Sequence, residues 1–375
     1  MAKARLGVTL TLVGQREVIL RCARENGISL DGIRIEHAEG VITMEDDPIS
    51  VVRAKRNSSM AMGLRMLKDE GDAFVSAGNT GALHAGSSLI IRPIKGIHRP
   101  AIATVLPLSR PVLLLDSGAN TNVTPEYLVQ WAVMGSIYMK NIFGIRQPSV
   151  GLLNNGAEEH KGTPVVAETY KLLKASDDIF FVGNVEGNQV MSSVCDVLVT
   201  DGFTGNITLK MLEGMGKFFM STLKGMYKKN FLTQLSAAAV KDQLMGLKKQ
   251  FDASEHGGAP LLGLSKPVIK AHGSSDVLAF RNAVKQAMDA AGSDIGGGTH
   301  GGQVAAESCA DQKAEVEHMG RHARAAVHHR GKALYNRQHG GNIGNVVNKG
   351  REDNRDHNDC GIEHKRIVAA ELIEK

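Results

Sequence analysis

Five short apolar runs in this sequence each lead directly into small and polar residues of the kind that hold an oxyanion. Ala73–Ala77 is followed by Gly78-Asn79-Thr80-Gly81-Ala82, and Val112–Leu115 by Asp116-Ser117-Gly118-Ala119-Asn120. Val150–Leu153 leads into a loop containing Asn154, Gly156, Glu158, Lys161 and Gly162. Ile179–Val182 leads into Gly183-Asn184-Val185-Glu186-Gly187, and Val197–Thr200 into Asp201-Gly202-Phe203-Thr204-Gly205-Asn206. Glycine lets backbone N–H groups come close to a ligand, and a helix starting there favours negative charge. Asn and Thr donate hydrogen bonds without adding charge, whereas Lys161 adds a positive point charge. One such loop is ordinary turn chemistry. Five at strand ends point to a polar cleft for phosphate-like oxygens. No G-x-x-x-x-G-K-[ST] occurs, and Gly7 and Gly14 lack the spacing of a dinucleotide fingerprint. G-x-S-x-G is also absent, and Cys22 and Cys195 read as inert buried thiols. A cleft without a protein nucleophile can bind one. Inorganic phosphate needs only positioning and a donor for the oxyanion that forms on an attacked carbonyl.

These loops need a scaffold of strands and helices in alternation. Leu6–Val13 reads as a strand and Gln15–Asn26 as a helix stopped by Gly27, followed by a strand over Gly32–His37. Asp47-Pro48 is a helix start, capping residue then proline, for a helix running to about Glu70. Further strands are expected at Ala73–Ala77, Ile102–Leu106, Val112–Asp116, Val150–Leu153, Ile179–Val182 and Val197–Thr200, with helices over Thr124–Phe143 and Thr163–Lys174 between them. Strands separated by helices indicate parallel βαβ units, with a sheet covered on both faces and ligands at the strands' carboxyl ends.

Composition sets the remaining bounds. The 375 residues carry 42% hydrophobic and 22% charged side chains, ordinary for a soluble globular protein. A net charge of +5 is too weak to imply nucleic acid. Four cysteines without paired spacing exclude a disulfide scaffold and a zinc knuckle and make the cytoplasm the default location. No apolar run reaches membrane-spanning length, and the opening MAKARLGVTLTLVG reads as a strand rather than a signal peptide. The chain divides near Gly292 into a main domain, 1–292, and a Gly/His-rich tail, 293–375. The tail has only 13 Leu, Ile, Val or Phe in 83 residues and is expected to be disordered. Its 8 of the 14 histidines lack metal-ligand spacing.

Taken in order, SAGNTGAL (76–83), RPIKGIHRPAIATVLP (92–107), LLDSGAN (114–120), LLNNGAEEHKG (152–162), GNVEG (183–187) and DGFTGN (201–206) resemble the bacterial phosphate acyltransferases of phospholipid synthesis. EHGGAPLLG (255–263) and KAHGSSD (270–276) continue the likeness, which covers roughly residues 6–292. The resemblance implies a three-layer α/β/α fold with a mostly parallel sheet, akin to isocitrate and isopropylmalate dehydrogenases. It also implies conversion of acyl-[acyl-carrier protein] and phosphate to acyl-phosphate. The implied partners are acyl-carrier protein, a second copy in a homodimer, the membrane surface and a membrane glycerol-3-phosphate acyltransferase. No metal or organic cofactor is implied.

On that reading Ser76, Gly78, Asn79, Thr80 and Gly81 bind phosphate, with Asn120 in the same cleft, and Asn79 is also counted among the catalytic residues. Lys161 and His272 are candidates for charge stabilisation or proton transfer. Lys161 reads equally as a solvated charge and His272 as a loop histidine satisfied by backbone. Asp116, Glu158, Glu186, Asp201 and Asn206 would orient amides and cations, since carboxylates repel phosphate. Leu232–Phe251 reads as an amphipathic helix whose Lys241, Lys248 and Lys249 suit anionic lipid or an acidic carrier, and equally as a dimer-interface or core helix. Arg92, Lys95 and Arg99 form a second basic cluster.

Two departures from the family pattern stand out. The family's first strand and its DAMGGD-type loop have no counterpart before GVTLTLVG, which puts activity in question, and the sequence from Ser293 onward has the composition of a frameshifted extension. The rival readings are an acyl-coenzyme A-using phosphate acetyltransferase, a metal-dependent dehydrogenase of the same fold, and a non-catalytic scaffold that binds carrier protein.

Overall fold

The computed structural model describes residues 8–106, 108–230, 233, 236, 240–241, 243–244, 246, 257–273, 275–292 and 366–370. The chain opens with β1 (Thr9–Gly14), α1 (Arg16–Glu25) and β2 (Arg34–His37). Gly27 follows α1 with φ of 61°, the left-handed stop read from the sequence. The helix expected from Pro48 to Glu70 is instead two pieces. A 3-10 turn, Pro48–Val52, is capped by Asp47, and α2 (Ser59–Asp69) starts afresh. Ser58 breaks the run: its side chain accepts from Ala61 N, and Gly40 O accepts from Ser59 N. Local capping competes successfully with helix continuation at such residues.

The remaining elements are β3 (Ala73–Ser76), α3 (Thr80–Gly86) with a π-helical turn at Ser87–Ile91, β4 (Ala101–Leu106) and β5 (Val112–Leu115). Next come α4 (Pro125–Phe143), β6 (Ser149–Asn154), α5 (Pro164–Lys174), β7 (Phe180–Glu186), β8 (Val197–Val199) and α6 (Gly202–Tyr227). Then β9 (Ala259–Leu262), β10 (Val268–Lys270), α7 (Val277–Gly292) and β11 (Arg366–Ala370) complete the described elements.

All eleven strands form one sheet in the order β2-β1-β11-β3-β10-β9-β4-β5-β8-β6-β7. Alternate residues of β3 face opposite helices, as a buried strand's period of two requires. Phe74 packs with Leu64 and Leu67 of α2, while Ala73 and Val75 pack with Ala283 and Ala287 of α7. Leu113 and Leu115 of β5 likewise meet Trp131 and Ala132 of α4, and Leu114 meets the α6 side. The result is a helix layer on each face, the three-layer α/β/α fold expected.

Two expectations need correction. The sheet is mostly parallel, but β9 is antiparallel to both β10 and β4, and β4 is antiparallel to β5. Following those senses along the sheet, the block β2-β1-β11-β3-β10 runs opposite to the block β5-β8-β6-β7. The Gly/Asn loops therefore leave the sheet on two rims rather than one. The tail also departs from its expected disorder at residues 366–370, which form β11 near the middle of the first block with Val368 buried. The rest of the 293–375 segment, and most of the 232–251 helix, lie outside the described residues.

Candidate active site

The first rim is built on β3. Ser76 is buried, its hydroxyl accepts from Gly78 N at 3.1 Å, and its carbonyl accepts from Ala271 N at 2.9 Å. Asn79 caps α3: its Oδ1 accepts from Ala82 N at 3.0 Å, while Nδ2 donates to Thr43 O and Met44 O. The whole Asn79 amide is thus spent on fixing the turn. The first-turn N–H groups of Thr80 and Gly81 have no partner four residues back in a helix, and they take no part in the capping bonds. Gly81 is also set by packing, since a Cβ there would lie 2.9 Å from Pro48 Cγ.

The strand β10 brings positive charge to this rim. Lys270 Nζ donates to Ala77 O, and His272 follows as an exposed side chain. Although its surface is open to solvent, loss of hydration against the neighbouring protein is the main cause holding the His272 imidazole below its ordinary pKa. Glu213 opposes the shift, and Lys270, Lys210 and Lys217 reinforce it. Those last two lysines lie on α6, so the field at His272 comes from two elements.

The second rim centres on Asp116, fully buried at the end of β5. Its carboxylate accepts from the backbone N–H groups of Ile102, Gly118, Ala119 and Asn120 and from Asn120 Nδ2. Charge-assisted bonds of this kind are the strong class, so Asp116 is the clamp of its own loop. Asp201 caps α6, accepting from Thr204 N at 2.9 Å. The glycines of DGFTGN serve close packing: a Cβ at Gly202 would sit 2.8 Å from Asn120 N, and one at Gly205 only 1.9 Å from Asp116 O. Asn206 faces Gly118 across the same junction.

A contact at Pro100 O links the far end of α3 to the second rim. Asn120 Nδ2 donates to Pro100 O at 2.9 Å, and His84 Nε2 lies 3.0 Å from the same oxygen. His84 is five residues past Asn79 on α3, roughly 7–8 Å of helix rise. The Pro100 segment is itself pinned by α4, through Gln130 to Gly96 O and His98 N, and through Trp131 Nε1 to Arg99 O. Sequence reading missed His84 because nothing in its spacing separates it from a core helix residue. Burial lowers its imidazole pKa, its bond to Pro100 and the charge of Asp116 oppose that, and Arg99 adds to the lowering.

The third group stands apart. Lys161 is exposed, its N–H donates to Glu158 O, and its carbonyl accepts from Asn154 Nδ2. Asn184 Nδ2 donates to Glu158 O, which ties this loop to β7, and Glu186 N donates to Gln189. Asn184 Oδ1 is buried with no hydrogen-bond partner among the described residues. β6 lies two strand spacings from β5, about 10 Å. No hydrogen bond among the described residues links Lys161 to Asn79 or Asn120. Nor do the described residues contain a cluster of three or more His, Cys, Asp or Glu able to hold a metal.

What this arrangement offers is amide donors, cations and one buried carboxylate, Asp116, that holds its own loop, on a sheet covered by helices. The model of the family described as "Fatty acid synthesis protein" matches residues 1–296. The chain belongs to that family. A phosphate acyltransferase from Thermoanaerobacter pseudethanolicus is 45% identical over 290 residues, covering 77% of this chain and 86% of that protein. One from Bacillus licheniformis is 44% identical over 283 residues, covering 75% and 84%. Among solved structures, a phosphotransacetylase from Streptococcus pyogenes matches with a TM-score of 0.50 at 18% identity, over 74% of this chain and 84% of that one. That last likeness bears on the fold, and it agrees with the layers and sheet described above. Within the family match fall both rims and the Lys161 loop, whereas β11 falls outside it.

Proposed function

We propose that this chain transfers an acyl group from the thioester of acyl-carrier protein to inorganic phosphate, giving acyl-phosphate and the free carrier thiol. The observation that carries the reading is 45% identity to a phosphate acyltransferase across 86% of that protein's length. A phosphate oxygen attacks the thioester carbonyl carbon, the new C–O bond forms, and the C–S bond breaks with departure of the thiolate. A thiol pKa of about 8.5 makes that leaving group good without strong acid assistance, so positioning and charge stabilisation carry the rate. Ser76, Gly78, Thr80 and Gly81 form the phosphate turn, and Asn79 holds it. Asn120 extends the site across Pro100. His272 and Lys161 supply charge or a proton, and Asp116, Glu158, Glu186, Asp201 and Asn206 hold amides and helix starts in place.

The partners follow from the same reading. An acidic carrier suits the lysines at 210, 217 and 270. A homodimer is supported by α6, where Phe203, Ile207, Met211, Met215 and Phe218 are exposed at three- and four-residue spacing, an apolar stripe of the kind that marks contact surfaces. Among the described residues no helix is long and apolar enough to cross a membrane. On this reading the fatty acyl-phosphate passes to a membrane glycerol-3-phosphate acyltransferase.

The test is direct. Purified chain, acyl-carrier-protein thioester and phosphate should yield a hydroxylamine-trappable acyl-phosphate and one free thiol per turnover. Capture of carrier protein with no acyl-phosphate formed would leave a scaffold and overturn the reading. Consumption of acyl-coenzyme A in preference to the carrier would replace the substrate class.

A further inference from the structure

The strand between β1 and β3 comes from far along the chain. β11 pairs in parallel with β1 from Thr9↔Arg366 to Val13↔Ala370, and with β3 from Ala73↔Ile367 to Ser76↔Ala370. Neighbouring strands lie about 4.8 Å apart, so without β11 the flanking strands would stand nearly 10 Å apart. Each would then hold a row of unpaired N–H and C=O groups in the interior. Every residue of β3 is buried there, and Val368 seats at 2% exposure in the core of Phe74, Leu64 and Leu67. The gap therefore demands an extended occupant.

Residues 293–365 separate α7 from β11 in the sequence. Retention rests on the two ladders and on the buried Val368. The far end of the β3 ladder is Ser76, whose hydroxyl and carbonyl set the turn that runs through Gly78 to Gly81.

We propose that the gap between β1 and β3 is a strand-acceptor site, filled by residues 366–370 of the same chain, and that its occupancy sets the geometry of the Ser76–Gly81 turn. The binding mode is parallel strand addition, with main-chain bonds supplying affinity and one apolar side chain supplying register. The functional half of this inference rests on the reading of that turn as the phosphate site.

The test uses the full-length chain. In hydrogen–deuterium exchange, the amides of 367–369 and 73–76 should exchange at least a hundredfold more slowly than in free peptides. Exchange of 367–369 at the free-peptide rate overturns the proposal. In Val368→Asp, protection at 73–76 should fall, and KM for phosphate should rise about tenfold with a smaller change in kcat. A synthetic peptide of residues 363–375 should then bind that variant one to one by calorimetry and reverse both changes. Unaltered exchange at 73–76, or no peptide binding, overturns it. If Val368→Asp does not fold, Val368→Ala should show faster exchange confined to β11, β1 and β3, and a uniform change across the sheet counts against the proposal. Protection of 366–370 found only in a dimer fraction would place the strand in a second copy and overturn the same-chain form. Peptide capture with restored protection but no acyl-phosphate from any form would sink the phosphate reading and leave the acceptor site standing.

Discussion

A methyl group added at Gly205 would lie 1.9 Å from the Asp116 carbonyl oxygen, a backbone atom that cannot swing away. Gly205→Ala should therefore destabilise the fold by about 1–3 kcal/mol or more, read as a lower denaturation midpoint. Asp116→Ala goes further, because each buried donor left unpaired costs roughly 1–3 kcal/mol and Asp116 satisfies those of Ile102, Gly118, Ala119 and Asn120. The expected outcome is loss of the cooperative unfolding transition. His84 gives a pH signature. Burial holds its folded pKa below the ordinary 6.5, so near and below that value the unfolded chain binds a proton that the folded chain does not. The stability His84 contributes is complete above 6.5 and falls as pH drops toward the folded value. His84→Gln should flatten the dependence in that window, measured as midpoint against pH. For turnover, Asn79→Ala and Lys161→Ala should each lower the rate at least tenfold, about 1.4 kcal/mol. Asn79 acts by holding the turn, so its variant should also lose about 1 kcal/mol of stability as a capping loss. Unchanged turnover in either variant would remove that residue from the site.

At the scale of elements, most boundaries were legible because local signals and tertiary packing agree. Asn79 and Asp201 stand just after predicted strands and Thr163 at a predicted helix start, and each caps a helix. The exception over residues 48–70 arose because a capping serine inside an apolar run is invisible to periodicity until Gly40 comes alongside it. The short strands β9 and β10 were not anticipated, since three or four apolar residues among Gly, Pro and Lys carry too little pattern to register. The helix α6 carries the element-scale prediction. Met215→Ser with Phe218→Ser should shift a dimer toward monomer in light scattering while leaving the melting profile of the monomer unchanged, since both side chains are exposed.

For the whole molecule, the decisive facts are the opposed senses of the two parallel blocks and the origin of the strand between β1 and β3. The order of residues alone established a parallel α/β chain with polar glycine-rich turns after most of its strands, although 183–186, read as such a turn, continue β7 and pair with β6. Those features depend on neighbours in sequence: the period of apolar residues, capping types, and the demand for small residues at tight turns. It also carried the family resemblance, because ordered motifs survive without knowledge of contacts. Three things were settled only by the folded chain. The turns divide between two rims linked through α3 at Pro100, glycines 202 and 205 pack closely against the Asp116 loop, and residues 366–370 close the sheet beside Ser76. Each is a contact between segments far apart in the chain, and such pairings are fixed by burial and complementary edges in three dimensions, which no local pattern encodes.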